Sequence, residues 1–144
     1  MKRLLFMLLL IGTSSFAYPL KPNHHLSPGS FCTVNDPDFT EFRYEENIPY
    51  CTRNVSFARK NAICKRDGVD DRKDFVVDHI IPLSIGGNNK DDNLWCQHHS
   101  LSTASLEYNC YTQLKNNQIT RLEATNIILN CKFNHICPEI CEEE

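Results

Sequence analysis

Apolar positions along the chain switch between helical and strand spacing, and each switch predicts an element. Residues 54–69, NVSFARKNAICKRDGV, predict a helix. Ser56 stands as its cap, Phe57, Ala58, Ala62 and Ile63 as its apolar face, and Gly68 as its stop. DFVVDHIIPL, residues 74–83, is a β-branched and mostly apolar run, which predicts a strand. Gly86-Gly87-Asn88-Asn89 then supplies turn chemistry. LSTASLEYNCYTQLKNN, residues 101–117, returns to helical spacing through Leu101, Leu106, Cys110 and Leu114. ITRLEATNIILNCKF, residues 119–133, predicts a last helix with Leu122, Ile127, Ile128 and Cys131 in the core. Its start has the reciprocal capping pattern of Thr120 and Glu123. From Tyr18 to Pro49 no period holds, and Pro, Asn, Asp and Ser abound, so an irregular N-terminal arm is expected.

Residues 1–17, MKRLLFMLLLIGTSSFA, have a basic start, a short apolar run and a small-x-small end. That layout predicts a secretory signal peptide, since the run is too short to span a bilayer as a retained anchor. What remains is the size of one domain: an arm over 18–50 and a folded unit over 51–144 with an acidic tail. All eight cysteines lie beyond the leader, an even count that in an exported chain predicts disulfides, with Cys32 and Cys51 able to pin the arm. Structural zinc is the rival use of cysteine, but no CxxC pair is present. The expected class is α+β, a small disulfide-stapled domain with no membrane contact once the leader is removed, either secreted or periplasmic.

Formal charge is −3 for the whole chain, and the leader holds Lys2 and Arg3 with no acid, so the exported form carries −5. This argues against strong nucleic-acid binding. The acids are partly segregated into PEICEEE at the end, while residues 53–73 hold seven Lys and Arg against Asp67, Asp70 and Asp71. That segment is either a basic patch or a mixed-charge solvated face. Asn23-His24-His25 in the arm reads as a solvated pair, since no further ligand accompanies it.

Chemistry concentrates in DFVVDHIIPLSIGGNNKDDNLWCQHH, residues 74–99. Asp78 offers hard oxygen atoms to a cation, and His79 an imidazole able to take a proton near neutral pH. Neighbours on a flat strand face opposite ways, so the two serve one site only at a strand end or bend. Asn93 has both donors and acceptors with which to clamp the intervening loop. Trp95 is expected in the core, the alternative being a ring that stacks on a base.

This constellation, VDHIIPLSIGGNN followed by DNLW, resembles the HNH endonucleases, the ββα-metal or His-Me finger superfamily, and among them a small exported bacterial type. The resemblance implies a ββα-metal finger with flanking helices, and metal-dependent hydrolysis of phosphodiester bonds in DNA, with RNA as a further substrate. It implies His79 as general base, Asn93 as the loop-bracing residue of the motif, and Asp78 as a ligand to one divalent ion, Mg²⁺ ahead of Mn²⁺. The third motif position departs from the pattern. Nine residues beyond Asn93 stands Ser102, a poor ligand, and His98 and His99 just before it are the candidates, His98 ahead of His99. Cys96 stands where related exported proteins have Pro, which implies a bridge beside the site. A monomer is expected, and the motif specifies no immunity or inhibitor partner. Two rivals remain open: an HNH-fold module that binds nucleic acid or protein without cutting, and a disulfide-stapled inhibitor for which the Asp-His pair is incidental.

Overall fold

The computed structural model describes residues 18–138. The leader, Cys141 and the tail residues Glu139, Glu142, Glu143 and Glu144 lie outside that range. The described chain is α+β. Two antiparallel hairpins and three helices follow in the order β1 (Phe39–Arg43), β2 (Ile48–Cys51), α1 (Phe57–Arg66), β3 (Phe75–His79), β4 (Leu94–His98), α2 (Ala104–Lys115) and α3 (Arg121–Asn134). None of the described helices is long and apolar enough to cross a membrane.

A two-stranded sheet is marginal in water unless its faces are covered, and β3–β4 is covered on both. Its register pairs Val77 with Cys96, Asp78 with Trp95 and His79 with Leu94. Val77, Leu94 and Cys96 pack with Ile63, Cys64 and Val69 on the α1 side. Trp95, on the opposite face, joins Leu106, Leu114, Ile128 and Phe133 of α2 and α3 in the larger cluster. Trp95 is therefore core, 2 % exposed.

Helix α1 begins at Ser56, whose side chain accepts from the Arg59 amide, and the chain turns away at Gly68 with φ 82°. Its expected apolar face is corrected: Ile63 and Cys64 are buried, while Phe57 is 75 % exposed and Ala58 and Ala62 are exposed. The Cys64–Cys96 disulfide turns the Cys64 side of the helix toward β4. In α3, Ile128 and Cys131 are buried as expected and Ile127 is half-buried, but Leu122 is 68 % exposed. The capping box is complete: the Thr120 hydroxyl accepts from the Glu123 amide, and the Thr120 amide donates 2.7 Å to the Glu123 carboxylate. Removing the hydroxyl with Thr120→Ala should cost about 1 kcal/mol. A urea melt should show a lower midpoint at unchanged slope; an unmoved midpoint would mean the cap carries no net stability.

The second half of the N-terminal arm is not irregular. It forms the β1–β2 hairpin, in register from Phe39 opposite Cys51 to Arg43 opposite Ile48. Only the tertiary fold specifies these strands, because β1 buries little of its own surface. The arm also lies along the loop between β3 and β4. The Gly29 amide donates to the Asp92 carbonyl, Cys32 to Gly86 and Asn88 to Ser30. Disulfides join Cys32 to Cys51, Cys64 to Cys96 and Cys131 to Cys137. Cys110 is buried and pairs with no described cysteine. The fourth bridge anticipated from the even count is therefore not formed among the described residues.

Candidate functional site

Between His79 and Leu94 the chain makes a closed loop around one side chain. Asn93, fully buried, donates through Nδ2 to the carbonyls of Ile81 (3.0 Å) and Asn88 (2.8 Å). Its Oδ1 accepts from the amides of Ile81 (2.9 Å) and Ser30 (3.2 Å). All the hydrogen-bonding capacity of the amide group is thus spent on backbone, which is the clamp its side chain was expected to supply. Glycine is required where the loop closes. Gly86 has φ 95°, and a Cβ on Gly87 would run into the Ile81 carbonyl.

His79 ends β3 and is 2 % exposed. Its Nε2 lies 3.1 Å from Asn89 Oδ1. Both amide protons of Asn89 are committed, to Asp38 Oδ2 (2.9 Å) and the Thr52 carbonyl (2.7 Å), so its oxygen accepts and the histidine must donate from Nε2. The basic lone pair is therefore on Nδ1, a buried atom without a hydrogen-bond partner. Burial lowers the imidazole pKa to about 4. The Asn89 hydrogen bond pulls the other way, the Arg53 charge adds to the lowering, and the group is neutral at physiological pH.

Asp78 faces the other way. Its ladder partner Trp95 belongs to the α2–α3 core, whereas Leu94, the partner of His79, belongs to the α1 core. Paired residues in an antiparallel ladder share a face, and successive residues alternate. No bend intervenes between positions 78 and 79, so the convergence expected of the pair is corrected: imidazole and carboxylate diverge across the sheet. Asp78 Oδ2 instead lies 2.7 Å from Lys132 Nζ on α3, and the same nitrogen lies 2.7 Å from Glu107 Oε1 on α2. Lys132 also donates to the carbonyl of His79. Burial works against the ammonium, but the two carboxylates outweigh it and raise the Lys132 pKa. Burial likewise raises the Glu107 carboxyl, against the pull of Lys132.

The late histidines are not brought to Asp78. His98 pairs with Phe75, three ladder positions away, which is about 10 Å of strand. Its ring stacks on Tyr18 at 4.5 Å and its Nδ1 meets the Ser100 hydroxyl at 2.8 Å. His99 is exposed in the turn that follows. Carboxylate oxygens from β3 and α2 do have the hard-donor chemistry a divalent ion takes. The place between them, however, is filled by an ammonium with no exposed side-chain surface, so the residues do not fit a resident metal. A second grouping, Cys32, Asp36 and Cys51, brings three donor atoms within 4.8 Å of one another. Both sulfurs are spent in the disulfide and Asp36 is paired with Lys90, so that cluster offers no free thiolate.

Glu107 and Lys132 are the residues that sequence reasoning missed. One signal for Lys132 existed: a single lysine between Cys131 and Phe133, inside an otherwise core-forming run. Part of the basic segment is engaged within the chain. Arg59 pairs with Asp91, and Arg66 binds Asp67, Ser27 and the Leu94 carbonyl. No family model, curated protein or solved structure matches this chain.

Proposed function

We propose that this chain is an exported binding module built on the ββα frame of the HNH proteins, with the hydrolytic step of that superfamily absent. The frame is supported by a hairpin whose two strands are joined through the clamped loop, by the helix that follows, and by the Asn93 clamp itself. The loss of hydrolysis rests on one observation: Asp78 and His79 lie on opposite faces of the β3–β4 hairpin, the first neutralised by Lys132 and the second sealed from solvent. Export is supported by the leader-like first segment and the three disulfides. Nucleic acid is the proposed ligand. Arg53, Lys65 and Lys73 are exposed and can meet phosphates, but the acidic balance makes binding weak and salt-sensitive.

A second reading is the exported endonuclease itself, using one Mg²⁺ or Mn²⁺ ion on DNA or RNA. The observation that favours it is the unpartnered Nδ1 of a neutral His79, a lone pair free to accept a proton. It requires His79 to open to water and Lys132 to leave Asp78.

One experiment separates the readings. Oxidised protein lacking residues 1–17 is incubated with supercoiled plasmid and Mg²⁺ or Mn²⁺, with and without EDTA, beside His79→Ala. The module reading expects no nicking in any lane, with retardation of single-stranded DNA that fades between low and high salt. Nicking that needs metal and disappears in His79→Ala would establish the nuclease instead.

A further inference from the structure

The geometry points to Lys132 as a resident cation. Its ammonium takes the place between Asp78 and Glu107 that a divalent ion would need, so that position neither holds nor requires one. This deepens the binding-module reading, on which it rests, by naming what occupies the ion's position.

An ammonium has three protons, and Lys132 has three acceptors: the carboxylates of Asp78 and Glu107 and the carbonyl of His79. The group is thus saturated, as a fully buried charge must be. Its acceptors come from the end of β3 and the first turn of α2, and the lysine from the last turn of α3, so one cation ties the strand to both helices. A magnesium ion would do this differently, collecting about six oxygen atoms at about 2.1 Å and keeping several waters. With the lysine side chain fully buried between the two carboxylates, the position such an ion would take between them is already filled.

The lysine is also anchored. Cys131, its neighbour, is bridged to Cys137, and α3 ends at His135 in the left-handed conformation with its amide bonded to the Cys131 carbonyl. The helix end that carries the ammonium is held to the place where the charge is needed. A tethered cation is present at every ion concentration, whereas a bound one depends on its surroundings.

The test uses the oxidised protein lacking residues 1–17, with Mn²⁺ as probe. Free Mn²⁺ is followed by electron paramagnetic resonance and thermal stability by circular dichroism, with and without EDTA. For the wild type the expected result is an undiminished free-ion signal and a Tm indifferent to Mn²⁺ and EDTA. Lys132→Met keeps the apolar stem and leaves two carboxylates facing each other. Its Tm should fall, and millimolar Mn²⁺ should restore part of the loss, whereas Lys132→Met/Asp78→Asn should gain nothing from the ion. Wild-type protein that binds one Mn²⁺ and loses it on Asp78→Asn overturns the inference, as does a folded Lys132→Met protein that ignores Mn²⁺. Should Lys132→Met not fold, the wild-type titration decides alone. Ion binding without plasmid nicking would sink this inference and leave the binding module standing; metal-dependent nicking would sink both.

Discussion

Asn93→Ala should destabilise the protein by about 4–5 kcal/mol, a large part of the total stability of a domain this size. The substitution removes a side chain that bonds four backbone groups: the amides of Ser30 and Ile81 and the carbonyls of Ile81 and Asn88. Asn93 is fully buried and Ile81 and Asn88 are nearly so, so water cannot replace the lost partners without opening the loop. Each buried group left unsatisfied costs about 1–3 kcal/mol, moderated by relaxation. Asn93→Asp should be no milder, because it keeps an acceptor, loses both donors and adds a buried charge. Urea unfolding measures the loss, and amide exchange should show the protection of residues 80–93 collapsing before that of α3. A loss under about 1 kcal/mol would mean the clamp is ornamental, contrary to this account.

Acid should destabilise the fold through His79. The imidazole has a pKa of about 4 when folded, against 6.5 for the ordinary group. Because the folded value is depressed, the unfolded chain takes up a proton that the folded one refuses as pH falls below 6.5. Stability is therefore full above that pH and is lost progressively down to about 4. Linkage gives a loss from this group of about 2 kcal/mol at pH 5 and about 3 kcal/mol at pH 4. His79→Gln keeps a polar group near Asn89 and cannot titrate, so its stability should fall less steeply across that window. The carboxylates titrate in both proteins and cancel in the difference. Parallel stability-against-pH curves would show that His79 is open to water, and would favour the nuclease reading over the sealed one.

Asp78 and His79 also show how adjacency in sequence differs from adjacency in space. They stand together in the sequence, and the resemblance assigns them one site. On a regular strand that adjacency separates them, and β3 runs straight through position 79 before the chain turns. The carboxylate that meets Asp78 in space is Glu107, reached through Lys132. Neither belongs to residues 74–99, where the motif lies.

Local pattern determined much of this protein by itself: the three helices to within a few residues, the Ser56 and Thr120 caps, the β3 strand, the glycine turn and the Asn93 clamp. Each depends on interactions a few residues apart, or on a side chain whose hydrogen-bonding inventory leaves it few uses. The β1–β2 hairpin, the outward turn of Phe57 and Leu122, the choice of disulfide partners and the meeting of Asp78, Glu107 and Lys132 were decided by tertiary structure. Those outcomes depend on which face each element turns to its neighbours, and spacing along one element fixes its periodicity without fixing what lies opposite. Burial then left the imidazole neutral, while the lysine stays charged against its burial. The ammonium keeps its proton at Asp78 because two carboxylates from separate elements arrive to hold it.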